Sequence, residues 1–182
     1  MKIVYYILLA AMMLLSSCGK KNFADDILKM QSHPIDLTSC ERAVCYENGV
    51  ESIYNGADSA YKLIIYIDSF SCSPCFVSHM SDYLGTVEEL DSAGIRTIFI
   101  FEPEKEKEED VLSALERFPT PLTALVIKNG VFVSTNPHLS STSVLHSFLL
   151  NRDNEIMIVG NPARNDKIKE LMLNIVKTGK TQ

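Results

Sequence analysis

The order of apolar segments predicts an α/β fold built around a central sheet. Two β-rich apolar runs, residues 62–67 and 95–101, lack polar alternation, which is typical of strands buried on both faces. Between them, apolar residues recur at helical spacing from Ser73 until Gly94. Because a strand, a helix and a second strand in this order form a right-handed crossover, we expect the two runs to pair in parallel.

Further segments continue this unit towards the C-terminus. Residues 104–117 predict a second helix, acidic in its first turn, and residues 121–127 predict a third strand. Asn129-Gly130 precedes the apolar residues 131–133, and an Asn-Gly pair between two such runs favours a tight β-hairpin. We therefore expect residues 131–133 to form the second strand of a hairpin.

The sequence also predicts the elements at the two ends of this region. Residues 146–150 and 155–159 predict a hairpin, and the apolar spacing of residues 168–176 predicts a last amphipathic helix. Before the main unit, residues 23–31 predict a short helix, and residues 33–61 predict irregular structure with brief extended pieces and two Asn-Gly turns.

The first residues carry the pattern of an export signal. Lys2 precedes an apolar run over residues 3–15, which is shorter than the about 20 residues that a membrane-spanning helix needs. Leu15-Ser16-Ser17-Cys18 resembles the bacterial lipobox, in which the cysteine becomes the acylated first residue. Gly19 is not the aspartate that accompanies inner-membrane retention in some bacteria. The resemblance implies anchoring in the cell envelope, in an outer membrane and facing the periplasm.

This pattern divides the chain into three parts. We expect residues 1–17 to be a signal peptide, 18–33 a lipidated N-terminus and tether, and 34–182 one domain of ordinary size. The net charge of −6 is mild and the basic residues do not cluster, which argues against nucleic-acid binding. The membrane contact is expected to be the lipid anchor.

Four further cysteines form two close pairs. Cys40 and Cys45 lie in a predicted loop, whereas Cys72 and Cys75 lie at a junction between a strand and a helix. Disulfides persist in the oxidising compartments that exported proteins meet, so we expect both pairs to be able to oxidise. For Cys40 and Cys45 we expect a local structural disulfide.

The order strand, Cys-x-x-Cys, helix, strand, helix, hairpin, helix over residues 62–177 resembles the thioredoxin fold. Together with the lipobox, it is similar to the TlpA-like exported thioredoxin family. The resemblance implies a three-layer sandwich with a central mixed sheet and a thiol-disulfide oxidoreductase that needs no metal or other cofactor. Its partners would be cysteine-containing exported proteins and a redox protein that recycles the motif.

Within the motif, position assigns the roles. Cys72 would begin a helix, where the helix dipole and free N–H groups stabilise a thiolate, so we expect it to be the nucleophile. Cys75, one turn inward, should be less exposed and should resolve the mixed disulfide. Ser73 and Pro74 would shape the loop and tune its potential. Asp68 could raise the pKa of the Cys72 thiol if it points inward, or could simply end the strand.

Two family marks are altered here. Ser71 stands where tryptophan commonly precedes the first cysteine, and the chain contains no tryptophan. The cis-proline that faces the motif is replaced by Leu145 if the last hairpin is the family's terminal hairpin. It is Pro121 if the Asn-Gly hairpin takes that place. We favour Leu145, because only residues 146–177 run directly from a hairpin into a helix.

Three other functions fit the same residues. The chain could be a non-catalytic thioredoxin-like binding lipoprotein whose motif disulfide is only structural. It could carry zinc on four thiolates, those of Cys40, Cys45, Cys72 and Cys75. It could instead carry copper on the motif cysteines and His79.

Overall fold

A computed structural model describes residues 23–54 and 61–179 as a seven-stranded mixed sheet with helices on its faces. The expectations for the signal peptide, for lipidation of Cys18 and for the Asn55-Gly56 turn concern residues outside these ranges. Within the ranges, every helix is too short or too polar to span a lipid bilayer.

The strands, in chain order, are β1 (Val44–Glu47), β2 (Val50–Ser52), β3 (Tyr61–Ile67), β4 (Ile95–Phe101), β5 (Thr123–Val126), β6 (Ser147–Leu150) and β7 (Ile156–Val159). The α-helices are α1 (Ala24–Met30), α2 (Ser73–Ser78), α3 (Leu84–Ala93), α4 (Glu108–Arg117), α5 (Val131–Thr135) and α6 (Asp166–Gly179). Short 3₁₀ turns include Thr38–Arg42, Met80–Tyr83 and Ser143–Leu145.

The strand order across the sheet is β2-β1-β5-β4-β3-β6-β7. The central strands β5, β4 and β3 are parallel, as the two buried apolar runs predicted, and β6 pairs antiparallel with β3. The outer pairs β1–β2, β1–β5 and β6–β7 are antiparallel. The sheet is therefore mixed, and the predicted α/β class is confirmed.

Alternate residues of β3 pack into two separate cores. Leu63, Ile65 and Ile67 contact helices α2, α3, α4 and α6 on one face of the sheet. Ile64 and Tyr66 pack on the other face, against α1, α5 and the irregular segments around them. Burial on both faces explains the unbroken apolar runs, because a strand with one face in solvent would alternate apolar and polar residues. The three layers predicted by the thioredoxin resemblance are present.

The packed part of the fold begins before residue 34, within the stretch predicted as a tether. The short helix predicted over residues 23–31 is α1, and its last residue, Met30, is fully buried. The Gln31 side-chain amide donates to the backbone oxygen of Ile156 at 3.1 Å, which ties the end of α1 to β7. Residues 23–33 thus cover one face of the sheet.

The hairpin predicted at Asn129-Gly130 is wrong. Residues 131–135 form α5, and β5 pairs with β4 and β1 instead of with the segment that follows it. A tight type I′ hairpin turn needs positive φ at both central residues, but only Gly130 has it, at +77°. Phe132 is fully buried under the sheet, where a helical turn places it.

The last predicted hairpin is correct, and it decides between the two alignments. Strands β6 and β7 pair with each other, β6 pairs with β3, and α6 follows. Leu145 therefore stands just before the strand that faces the motif, and Pro121 belongs to the approach to β5. Among the described residues, no peptide bond is cis.

The helix predicted between residues 73 and 94 is broken into pieces. Helix α2 ends at Ser78, His79 has φ of −108°, and a 3₁₀ turn over Met80–Tyr83 leads into α3. Gly94 ends α3 with φ of +92°, as the sequence predicted for a helix stop.

Candidate active site

The Cys-Ser-Pro-Cys motif lies where β3 ends and α2 begins. In the intervening turn, Ser71 N donates to Asp68 O at 3.1 Å, and Phe76 N donates to Cys72 O at 3.0 Å in the first turn of α2. Cys72 and Cys75 are joined by a disulfide with an S–S distance of 2.06 Å and a Cα–Cα distance of 5.3 Å.

Both motif cysteines are exposed. The residues of α2 that face the sheet are Ser73 and Val77, which are 3% and 1% exposed. Cys75 lies two positions after Ser73, which is about 200° around the helix and therefore on its outer face. Pro74 occupies the second position of α2, where its missing N–H has no helical partner to lose.

The helix that begins at the motif is shorter than the sequence predicted. Helix α2 has six residues, and its break at His79 separates it from α3. The dipole contribution expected at Cys72 therefore comes from little more than one turn of helix. Other charges near the motif gain correspondingly more weight.

A groove of about 530 Å³ runs beside the disulfide. Its floor is aromatic, with the Phe76 ring 5.7 Å from that of Tyr83, and the Tyr83 hydroxyl accepts a hydrogen bond from the Asn161 side chain at 3.0 Å. Phe70, in the turn before the motif, is 95% exposed. The groove is lined by Cys72, Cys75, Phe76, His79, Tyr83 and Arg164, among others.

Asp68 ends β3 and organises the turn before the motif. Its Oδ1 accepts hydrogen bonds from Ser71 Oγ at 2.7 Å and from Phe70 N at 3.2 Å. Its side chain is only 13% exposed. Of the two roles considered for Asp68, the bonds to Ser71 and Phe70 assign it to the strand end.

His146 lies directly opposite this turn, on the chain that enters β6. Its backbone oxygen accepts from Tyr66 N at 2.8 Å, and its ring lies 4.9 Å from the Tyr66 ring. Its Nδ1 is 3.6 Å from Asp68 Oδ2, and its Nε2 is 2.8 Å from Ser140 O. Sequence reasoning gave His146 no role, because only the register of β6 against β3 brings it to Asp68.

A second buried carboxylate lies on the same side of the sheet. Glu102 follows β4 and is 1% exposed. It accepts hydrogen bonds from the Tyr66 hydroxyl at 2.5 Å and from Phe132 N at 2.6 Å. Burial and the hydrogen bond to Glu102 raise the pKa of Tyr66, so its hydroxyl keeps its proton. This network fixes Tyr66 against His146.

Cys40 and Cys45 are free thiols, and this corrects the expected disulfide between them. Cys40 lies on the 3₁₀ turn before β1 and Cys45 on β1 itself, and both are fully buried. Burial raises the pKa of the Cys40 thiol to about 12 and raises that of Cys45 as well. Ser52 Oγ donates to Cys45 Sγ at 3.2 Å.

The cysteines do not converge on a metal site. Cys40 and Cys45 belong to one buried core, whereas Cys72 and Cys75 are exposed beside α2. Within residues 23–54 and 61–179, no group of three or more His, Cys, Asp or Glu side chains is placed to hold a metal ion. The four-thiolate zinc set is therefore not assembled, and His79 pairs instead with Asp82 at 3.6 Å.

No protein-family model and no curated protein matches the sequence. Solved structures do match the fold. A protein from Chlorobium tepidum assigned as the thiol:disulfide interchange protein DsbE has a TM-score of 0.51 at 13% identity, over 79% of this chain and 98% of that one. A protein from Bacteroides vulgatus assigned as a thiol-disulfide oxidoreductase has a TM-score of 0.51 at 12% identity, over 82% and 93%.

Peroxiredoxin Q from Xanthomonas campestris matches comparably, with a TM-score of 0.52 at 9% identity, over 82% of this chain and 98% of that one. At such low identities the likeness concerns the fold. The chain has a thioredoxin-like fold, in agreement with the resemblance of its sequence.

Proposed function

We propose that this chain is a thiol-disulfide oxidoreductase in which Cys72 and Cys75 cycle between a disulfide and a dithiol. One observation carries the proposal: the two cysteines are joined, exposed and set at the strand-to-helix junction beside a groove. Thiol exchange requires direct attack on a sulfur atom, so access decides which disulfides can take part. A purely structural disulfide does not need this exposure.

The proposed exchange has two steps. The Cys72 thiolate attacks a substrate disulfide, an S–S bond forms between Cys72 and the substrate, and the other substrate sulfur leaves with the electron pair. Cys75, as thiolate, then attacks the Cys72 sulfur and releases the second substrate sulfur. The motif loses two electrons, the substrate gains them, and the two protons of the dithiol balance the two new substrate thiols. The reverse sequence oxidises a substrate dithiol.

The setting of this chemistry follows from the first residues of the chain. We propose export through the signal at residues 1–17 and lipid anchoring through Cys18, with the domain facing the periplasm from an outer membrane. The substrates are then cysteine-containing exported proteins, and a second redox protein restores the motif. Mass spectrometry of the protein extracted from its native membrane tests the anchor, since acylation adds a defined mass at Cys18. An unmodified Cys18 contradicts it.

A redox titration tests the exchange itself. We expect full-length protein in glutathione buffers to show a reversible Cys72–Cys75 couple between about −270 and −120 mV, the range known for this fold. Acid quenching, alkylation and peptide mass spectrometry read these two cysteines separately from the three others. A pair that resists reduction below about −300 mV behaves as a structural disulfide and contradicts the proposal in favour of a binding role.

Trapping separates the roles of the two cysteines. The Cys75→Ser variant can form the mixed disulfide but cannot resolve it, so we expect it to accumulate covalent complexes with disulfide-containing proteins. The matched Cys72→Ser variant lacks the attacking sulfur and should accumulate far fewer. Because both cysteines are exposed, access alone does not assign the attack. Equal trapping by both variants would contradict the assignment.

A further inference from the structure

A buried histidine and a largely buried carboxylate face each other beside the turn that leads into the motif. The His146 and Asp68 side chains are 5% and 13% exposed, and Nδ1 faces Oδ2 at 3.6 Å. Ser71 Oγ donates to Asp68 Oδ1 at 2.7 Å, and Ser71 directly precedes Cys72 in the chain.

A hydrogen bond fixes one ring proton of His146. A backbone carbonyl only accepts hydrogen bonds, so Nε2, at 2.8 Å from Ser140 O, must carry a hydrogen. Nδ1 has no hydrogen-bond partner among the described residues and is buried. In a neutral ring its lone pair would point at the Asp68 carboxylate. A proton on Nδ1 turns this repulsive contact into an attractive one.

Within residues 23–54 and 61–179, Asp68 is the charged side chain that pairs with the ring, and the other groups around it are aromatic or hydrogen-bonded elsewhere. Tyr66 stacks on the ring from β3, and its hydroxyl is occupied by Glu102 from the end of β4. From the segment after α5, Ser140 offers its carbonyl, and its Oγ donates to Asp26 of α1 at 3.2 Å.

We propose that His146 is a positioning residue that holds its second proton on Nδ1 and neutralises Asp68, so that no uncompensated carboxylate opposes the thiolate of Cys72. This inference rests on the proposed thiol exchange. His146 lies at the entry of β6, where the thioredoxin fold would have its cis-proline. There it would balance the negative charge of Asp68 beside the motif. The six-residue helix α2 offers the thiolate limited help, which makes this balance matter.

The effect is on the equilibrium between disulfide and thiolate. The motif disulfide plus two glutathione thiols gives the Cys72 thiolate, the Cys75 thiol, one proton and oxidised glutathione. Two electrons pass from glutathione to the motif, and charge balances through the released proton. A negative charge left beside Cys72 disfavours the product, so loss of His146 should shift the equilibrium towards the disulfide.

The test combines single and double variants of the full-length chain in glutathione buffers at pH 7. We expect His146→Asn to lower the equilibrium constant for reduction roughly tenfold, from Coulomb repulsion in a partly buried site. Asp68→Asn should not lower it, and the Asp68→Asn/His146→Asn double variant should return close to the wild-type value. A packing defect would instead persist or grow in the double variant.

His138→Asn is the matched control, because His138 is also buried but contacts His33 instead of Asp68. It should leave the equilibrium constant unchanged. An equal loss in both histidine variants, or no recovery in the double variant, overturns the proposal. A wild-type motif that does not titrate reversibly would instead defeat the proposed exchange itself, so the two failures are distinguishable.

A second measurement stays valid even if the variants fold poorly. Long-range ¹H–¹⁵N NMR of the wild-type protein distinguishes an imidazolium, with two protonated ring nitrogens, from a neutral ring. We expect the imidazolium pattern for His146 at pH 7 in both redox states. A neutral ring protonated only at Nε2 overturns the proposal.

Discussion

The thiol of Cys40 lies in the apolar core beneath β1, and burial there raises its pKa to about 12. The motif cysteines, by contrast, are exposed and joined. The thiolate is the reactive form of cysteine, so the buried and protonated thiols of Cys40 and Cys45 are expected to be unreactive in the folded chain. Among the described residues, the proposed redox chemistry is therefore confined to the Cys72–Cys75 pair, although the sequence offers two pairs.

The shifted pKa of Cys40 predicts a loss of stability in alkaline solution. Below pH 9, both the folded and the unfolded chain hold the thiol proton, so this contribution is intact. Between pH 9 and about 12, only the unfolded chain releases it, and the free energy of unfolding falls by up to about 1.4 kcal/mol per pH unit. Denaturant unfolding from pH 8 to 11 should show a shallower decline for Cys40→Ala. Equal slopes would contradict the prediction.

Among individual residues, the sequence predicted the motif cysteines but not the contacts of the residues around them. Cys72 and Cys75 are three residues apart, and a helical start brings such residues together without help from the rest of the fold. The contact of His146 with Asp68 depends on the register of β6 against β3, which spacing along the chain does not encode. Cys40 and Cys45 are close in sequence, but each is held by the core around it.

Among the secondary-structure elements, α5 shows how packing overrides local preference. The β-branched residues around Phe132 and the preceding Asn-Gly pair favour a hairpin. The bond from Phe132 N to the buried Glu102 carboxylate and the full burial of the Phe132 ring favour a helical turn instead. Glu102 is distant in sequence and the burial of the ring depends on the rest of the fold, so local propensity could not predict this helical turn.

The β1–β2 turn gives a prediction at the scale of elements. Gly49 has φ of +72°, and a Cβ there would lie 2.4 Å from Pro119 Cβ, so Gly49→Ala meets both strain and a clash. We expect it to lower the free energy of unfolding by about 2–4 kcal/mol. Gly130→Ala is the control, since Gly130 has φ of +77° but open space around it, and should cost about 1–2 kcal/mol. Equal losses in chemical denaturation would exclude the clash.

Across the whole molecule, the two faces of the sheet are covered in different ways. Helices α2, α3 and α4, which connect the parallel strands β3, β4 and β5, cover one face together with the last helix, α6. The opposite face is closed by α1 and by the segments around α5. The sequence predicted the first layer well, because helical periodicity is strong there. The second layer consists largely of irregular chain without such a period, so its packing could not be predicted.

Closure of the second face by α1 makes a prediction for the whole fold. Met30 is fully buried at the end of α1, and Met30→Ala should lower the free energy of unfolding by about 2–5 kcal/mol through a cavity. Leu28→Ala on the same helix is the control, because Leu28 is 67% exposed, and it should change stability by no more than about 0.5 kcal/mol. Thermal or denaturant unfolding measures both. A harmless Met30→Ala would mean that α1 is dispensable.

The burial of Cys40 and Cys45 bears on how the disulfide forms while the protein folds. Apart from Cys18, the chain has four cysteines, whose thiols can be joined as two disulfides in three ways, and an unfolded chain exposes these four to any oxidant. In the folded chain, Cys72 and Cys75 are the described cysteines that remain exposed, because Cys40 and Cys45 are buried. Burial of Cys40 and Cys45 therefore protects the Cys72–Cys75 pairing once the chain has folded, and we expect mispaired disulfides to form only in chains that are oxidised before they fold.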